Sequence, residues 1–213
     1  FPLAGISQTT TVLCIRADEP VVYESDEHGF HNPTGLWGRD DIDIVSVGDS
    51  MTVGFCVPSN RNATALIRSV YKNTFNLGWP GTGPFSQFAI IKEYVGHLKP
   101  KVVLWFYFEG NDTNDLNREL KRFPVFTRYL NDPNYRRNLM DLQPEIDKHL
   151  SSYIAQKLSA LPERDIGRIR ERKLNEIREA HSIRESISDI FRLRNTGRRI
   201  NNSLNILYSS YGL

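Results

Sequence analysis

The sequence predicts an α/β domain built on a parallel sheet. Three observations carry this. Within residues 1–115, short apolar runs alternate with helically spaced segments, in the order strand–loop–helix, strand–loop–helix, strand–loop. The longest run, Lys101-Val102-Val103-Leu104-Trp105-Phe106-Tyr107-Phe108, is almost continuously apolar, the pattern of a central strand covered on both faces. Each run ends in a loop of small or polar residues, and open parallel sheets bind ligands outside the carboxyl ends of their strands.

Taken in order, residues 1–40 read as an irregular N-terminal arm, dense in turn formers from Asp26 to Gly35. The domain proper occupies 41–213. Asp43–Val47 is the first strand and stops at Gly48-Asp49-Ser50. Residues 62–72 carry the apolar spacing of a helix. Thr74–Leu77 is a second strand, closed by Gly78-Trp79-Pro80-Gly81-Thr82-Gly83-Pro84, and 85–96 is a second helix. The third strand, 101–108, stops at Glu109-Gly110-Asn111-Asp112. Beyond 115 the composition turns charged, and 135–192 read as mainly helical. The stretch 168–179 has a narrow apolar stripe and opposite charges four residues apart. A solvated helical insertion or lid over about 115–200 is expected, followed by a strand-like run at Leu204–Tyr208.

A chain of 213 residues with 39% apolar and 24% charged side chains can form one core with an appendage. The net charge of +2 is too small for a nucleic-acid partner, which needs a concentrated basic stripe. The densest basic run, Arg192–Arg199, holds four arginines and reads as a solvated helix end, with anionic glycan or headgroup binding as the sharper reading. No stretch of 18 apolar residues occurs, so no bilayer span is expected. The chain begins with Phe rather than Met, which leaves room for a signal peptide or membrane anchor upstream; truncation at both ends is expected. Cys14 and Cys56 are read as two buried free thiols or as one disulfide tying the arm to the region after Ser50. The second reading suits an exported protein. Metal-ligand spacing is absent, and neither a metal nor an organic cofactor is expected.

Chemistry is expected in the three loops. A serine at a strand-to-helix turn exposes its hydroxyl above the sheet, but serine is a weak nucleophile until a base takes its proton. Gly48-Asp49-Ser50 alone is equally a turn or cap. The glycines at 78, 81 and 83 leave backbone N–H groups unobstructed, as an oxyanion site requires. Their spacing does not match GxGxxG, and no GK[ST] follows, so nucleotide binding is set aside. Asn111 offers a side-chain donor, or simply a helix cap. Together the loops present a nucleophile, a glycine donor and an asparagine donor, each after its own strand.

That ordered set resembles the SGNH, or GDSL-type, hydrolase family over roughly residues 42–115. Gly48-Asp49-Ser50 looks like the family's first block, Asn76-Leu77-Gly78-Trp79-Pro80-Gly81 its second and Gly110-Asn111-Asp112 its third, with Glu109 where a glycine is usual. The surrounding words, from Tyr23 to Phe30 and from Leu104 to Asp112, resemble a bacterial branch associated with surface polysaccharide. The resemblance implies a three-layer α/β/α sandwich of flavodoxin-like form, incomplete at its C-terminus. It makes Ser50 the nucleophile, with Gly81 and Asn111 as oxyanion donors. Asp49, Thr82 and Asp112 flank these positions and are assigned to substrate binding. The implied reaction is hydrolysis of O-acyl, chiefly acetyl, esters of a glycan or small molecule. The alternatives are an O-acyltransferase with the same site, or a non-catalytic glycan-binding or assembly module. The implied location is the bacterial cell envelope, on its periplasmic or extracellular face, with the cytoplasm as alternative. The family's fourth block, Asp-x-x-His, is missing. His28, His31, His97, His149 and His181 all sit outside such a pattern and read as structural or surface residues. The base is therefore expected beyond Leu213.

Overall fold

The computed structural model of the chain describes residues 3–16 and 19–159. The charged stretch 168–179, His181, the arginines of 192–199 and the strand-like run 204–208 lie outside the described residues.

Residues 1–40 are less irregular than expected. They contain an antiparallel hairpin, β1 (Thr10–Arg16) and β2 (Glu19–Glu24), with a register shift between Val12 and Cys14. The turn formers of 26–35 are a compact turn region rather than a free arm. The Asp26 carboxylate accepts from the backbone N–H of His28 and Phe30, both at 2.9 Å. Phe30 and Leu36 are buried in the main core.

The chain is α/β, with a three-stranded parallel sheet of β3 (Ile44–Gly48), β4 (Thr74–Gly78) and β5 (Val102–Trp105), in the order β4-β3-β5. Val47 pairs with Leu77 on one side and Trp105 on the other, while Gly48 pairs with Gly78. The first of these three strands in sequence, β3, is thus central, and the chain visits one neighbour and then crosses to the other. Such a switch of direction opens a crevice at the carboxyl end of the central strand.

The intervening helices are α1 (Ser50–Val53), α2 (Ala63–Val70) and α3 (Pro84–Ile90). Asn62 caps α2 by accepting from the Ala65 N–H at 2.8 Å. Pro84 begins α3, where its missing N–H is harmless. α3 runs on through a π-helical turn at Ile91–Val95 into a short turn, α4 (Gly96–Leu98). The π turn faces Lys92 and Glu93 inward. Lys92 Nζ donates to the carbonyls of Tyr129 (2.8 Å) and Asp132 (2.7 Å), and Glu93 accepts from Tyr129 Oη and from the N–H groups of Arg137 and Leu139.

These contacts fix the segment after β5: α5 (Asp112–Arg122), α6 (Val125–Asn131) and, further on, α7 (Gln143–Ser159). Phe126, Tyr129 and Leu139 share one core with Val45, Val47, Phe75, Leu77 and Ile90. The first turns of α7 clasp the chain's start, where Ser7 donates from its N–H (2.9 Å) and its hydroxyl (2.6 Å) to Asp147.

One open alternative is decided and one expectation is corrected. Of the two readings of Cys14 and Cys56, the structure has the disulfide, with Cα atoms 5.4 Å apart, bridging the hairpin to the loop after α1. β5 is not a long central strand. It is short and lies at the edge of the described sheet, with Val102, Val103 and Trp105 exposed. The run leaves the strand because Asp112 Oδ2 accepts from the Phe108 N–H (2.6 Å) while the Phe108 carbonyl accepts from the N–H groups of Asn111 and Asp112. That turn starts α5.

Candidate active site

Ser50 is the first residue of α1, separated from the central strand only by Asp49. Its backbone N–H therefore has no intrahelical acceptor. Asp49 caps the helix by accepting from the Met51 N–H at 3.0 Å, and its other oxygen lies 3.4 Å from Ser50 Oγ. The turn needs glycine at both flanking strand ends. A Cβ on Gly48 would run into Thr52 Oγ1 and the Phe106 carbonyl, and one on Gly78 into the Val53 N–H. The backbones of β3, β4 and α1 approach too closely there for any side chain.

The Gly78–Gly83 loop turns over the end of β4. Gly81 is exposed, takes φ +75° and has open space around it. Among the described residues nothing accepts from its N–H, so the donor expected of it is free. Thr82 is buried, and its hydroxyl donates to the Trp79 carbonyl at 2.7 Å, which fixes the turn.

The third loop brings Asn111 to the same place. Its Nδ2 donates to Asp115 Oδ2 at 2.9 Å and lies 3.4 Å from Asp49 Oδ2, while its Oδ1 is buried without a partner among the described residues. Asp49 thus lies within 3.4 Å of both the Ser50 hydroxyl and the Asn111 amide. Asp112 is fully buried, bonded to the Phe108 N–H and, more loosely, to Gln87. Burial raises the pKa of Asp112, with the Asp49 charge adding to it. Burial likewise raises that of Asp115; the Arg118 guanidinium opposes the shift, and Asp112 and Asp49 add to it. Arg118 Nη2 donates to Asp115 at 2.6 Å.

All six site positions named from the sequence thus lie in the three loops at the carboxyl ends of β3, β4 and β5. Ser50 is half-buried, Gly81 is exposed with its N–H free among the described residues, and the Asn111 amide is turned to Asp115 and Asp49. Asp49, Thr82 and Asp112 are buried, and their hydrogen bonds run to the protein itself.

Other residues matter here that were not named as site residues from the sequence. Asn32, buried in the turn region, uses its whole amide: Nδ2 donates to Asp26 (2.8 Å) and the Asn76 carbonyl (3.0 Å), and Oδ1 accepts from Arg68 (2.8 Å) and the Asn76 N–H (2.7 Å). Asn76 in turn donates to the Thr52 carbonyl at 2.9 Å and accepts from the Gly78 N–H at 2.9 Å. This chain of amides ties α1 to the Gly78–Gly83 loop. Glu119, on α5, accepts from the N–H groups of Gly83 (2.8 Å) and Phe85 (3.0 Å) and from the Ser86 hydroxyl, capping α3 from another helix. Asp112, Asp115 and Glu119 recur at i, i+3, i+7, a spacing that puts them on one helix face.

No described histidine contacts Ser50. The His31 ring bonds the Val53 carbonyl (2.9 Å) and Ser59 Oγ (3.0 Å). His28 packs edge-on against Trp37, and His97 and His149 are exposed. His181 lies outside the described residues. Comparison with protein-family models, with curated proteins and with solved structures finds no match.

Proposed function

We propose that this chain carries the nucleophile half of a serine ester hydrolase of the SGNH type it resembles, acting on O-acyl esters. One observation supports this above the others: a serine, a free glycine N–H and an asparagine amide, each on its own loop, lie at the carboxyl ends of three adjacent parallel strands, with the serine at the point where the strand order reverses. In this reading the described sheet is the first part of a three-layer α/β/α sandwich.

Ser50 Oγ attacks the acyl carbon, and the carbonyl oxygen becomes an oxyanion. The Ser50 and Gly81 N–H groups and one Asn111 hydrogen hold it. Asn111 keeps its 2.9 Å bond to Asp115 and turns the other hydrogen away from Asp49, where the 3.4 Å contact is weak. Collapse expels the alcohol and leaves an acyl-serine, which water or a sugar hydroxyl then cleaves. The proton of Ser50 needs a base, which this reading takes from outside the described residues. The Cys14–Cys56 disulfide supports an oxidising compartment, and so the cell envelope.

A fluorophosphonate probe on the full-length protein tests the reading. Wild type labels and Ser50→Ala does not. Equal labelling of the two overturns it. A folded full-length protein that does not label selects the second reading, a non-catalytic binding module, which the engagement of Asn111 Nδ2 by two carboxylates favours.

A further inference from the structure

α2 turns its polar residues inward and its apolar residues outward. Thr64 is fully buried, and the half-buried Arg68 donates to the Thr74 carbonyl (2.7 Å) and to Asn32 Oδ1 (2.8 Å). Ala63, Leu66 and Val70 recur at i, i+3, i+7, the spacing of one helix face, and all three are exposed. Leu66 is 59% exposed, Val70 71% and the following Tyr71 52%. A surface helix ordinarily packs such a stripe against its own core. Here nothing among the described residues covers it.

Cations stand at both ends of the stripe. Arg61 precedes α2 and Lys72 follows it, and both are exposed. Lys72 Nζ donates to the Ser69 carbonyl at 2.7 Å, which uses one of its three hydrogens. No acid occurs between Asp49 and Glu93 in the sequence. Asp41 and Asp43 contact Asn73, just beyond the helix, but Lys101 holds both carboxylates, at 2.8 and 3.0 Å. The surface is thus apolar along its middle and positive at its ends.

We infer that the outer face of α2 docks on an anionic lipid surface, with Leu66, Val70 and Tyr71 entering the headgroup layer and Arg61 and Lys72 meeting lipid phosphates. Two arguments select this occupant. A stable protein–protein interface takes about 800 Å² from each partner, over roughly 20–30 residues. A stripe of Ala63, Leu66, Val70 and Tyr71 does not approach that. Insertion into a membrane interface has no such threshold, because affinity scales with the apolar area buried plus the attraction of cations to anionic headgroups. Charge is the second argument. Pairing two α2 stripes antiparallel would set Arg61 of one copy beside Lys72 of the other, whereas anionic lipid complements both. Tyr71 suits the boundary, since its ring is apolar and its hydroxyl can stay in water. The inference is independent of what Ser50 does.

The test is co-sedimentation of the 213-residue chain with phosphatidylcholine vesicles carrying phosphatidylglycerol, and with vesicles of phosphatidylcholine alone. The anionic vesicles bind the chain better than the neutral ones, and affinity falls as salt is raised from about 50 to 500 mM, as screening of exposed charges requires. Leu66→Gln/Val70→Gln weakens binding by about tenfold or more, since it removes the inserted aliphatic area. Arg61→Gln/Lys72→Gln weakens it at low salt. All four positions are exposed. Without any variant, amide exchange in wild type slows over 63–72 when the anionic vesicles are added. Failure of wild type to bind them at low salt overturns the inference. So does equal binding of neutral vesicles, undiminished binding by either double variant, or exchange protection that leaves 63–72 untouched. A dimer in sedimentation velocity that Leu66→Gln/Val70→Gln abolishes would give the stripe to a second copy, and tighter binding to polyglutamate than to vesicles would give it to an acidic polypeptide; either overturns the inference as well.

Discussion

Glu119→Ala should destabilise the protein by about 3 kcal/mol. The figure follows from what the carboxylate holds. It accepts from the N–H groups of Gly83 (2.8 Å), Phe85 (3.0 Å) and Ser86 (3.3 Å) and from the Ser86 hydroxyl, and it is buried. Loss of an N-cap alone costs about 0.5–2 kcal/mol. Each buried donor left unsatisfied costs roughly 1–3 kcal/mol, though this overlaps with the cap. Against these, burial raises the Glu119 pKa despite its donors, so removing the carboxylate recovers part of a desolvation penalty. With an m-value of about 2 kcal/mol/M, the urea midpoint falls by about 1.5 M at unchanged m. Glu119→Gln keeps one acceptor oxygen but turns an NH₂ towards backbone N–H groups, so it too is destabilised, by about half as much or more. Because Gly83 closes the loop that carries Gly81, probe labelling of Ser50 should also slow in conditions where either variant is fully folded. An Ala variant with a midpoint within about 0.2 M of wild type, or a Gln variant as stable as wild type, would refute the idea that this carboxylate holds α3 and the glycine loop.

Two further outcomes are expected. Cys14→Ser/Cys56→Ser opens a crosslink across 42 residues, for which chain entropy gives about 4 kcal/mol, read as a lower urea midpoint that reducing agent reproduces in wild type and leaves unchanged in the variant. Burial holds the His31 pKa below its ordinary 6.5, so between that value and the folded one the unfolded chain binds more protons, and stability falls as pH drops through the window. Asp26, Asp112, Asp115 and Glu119 have raised values and give the opposite slope, so the readout is the difference between wild type and His31→Gln in urea midpoint at pH 7 and pH 5. The variant should lose less on acidification.

What the sequence revealed and what it hid follow one physical division. β3, β4, α2 and α3 were legible because apolar periodicity and turn chemistry are local signals, and Gly48, Gly78 and Asn62 punctuate them. The three loops were legible for the same reason, as each interrupts an apolar run. The hairpin was missed because Thr10–Arg16 mixes polar and apolar residues through a register shift, and its partner Glu19–Glu24 carries a proline. β5 was misread because a continuous apolar run reports affinity for neighbours on both faces but not which neighbours the fold supplies. The Asn32–Asn76 lock and the Glu119 cap join residues 44 and 36 positions apart, respectively, and no local pattern announces such a pairing. Only the i, i+3, i+7 acids of α5 offered a clue, since an inward acidic face requires donors to meet it.

Those acids also bear on what the site does with charge. Ester cleavage builds a negative charge on the carbonyl oxygen, and a unit charge about 4 Å away opposes it by about 4 kcal/mol at an effective dielectric of ~20. Asp49, Asp112 and Asp115 all approach the loop that carries Asn111, so three full charges would oppose the oxyanion that the proposed reading places there. The structure reduces that field. Burial raises the pKa of Asp112 and of Asp115, and the Arg118 guanidinium at 2.6 Å offsets charge on Asp115. An amide at position 111 then meets both demands: its hydrogens can face a carboxylate below and an oxyanion beside it, which neither an acid nor an apolar side chain could do. An acid would add a further charge, and a leucine would leave Asp115 without its donor. The asparagine, rather than the serine, is therefore the residue whose chemical identity the surrounding carboxylates dictate most strictly.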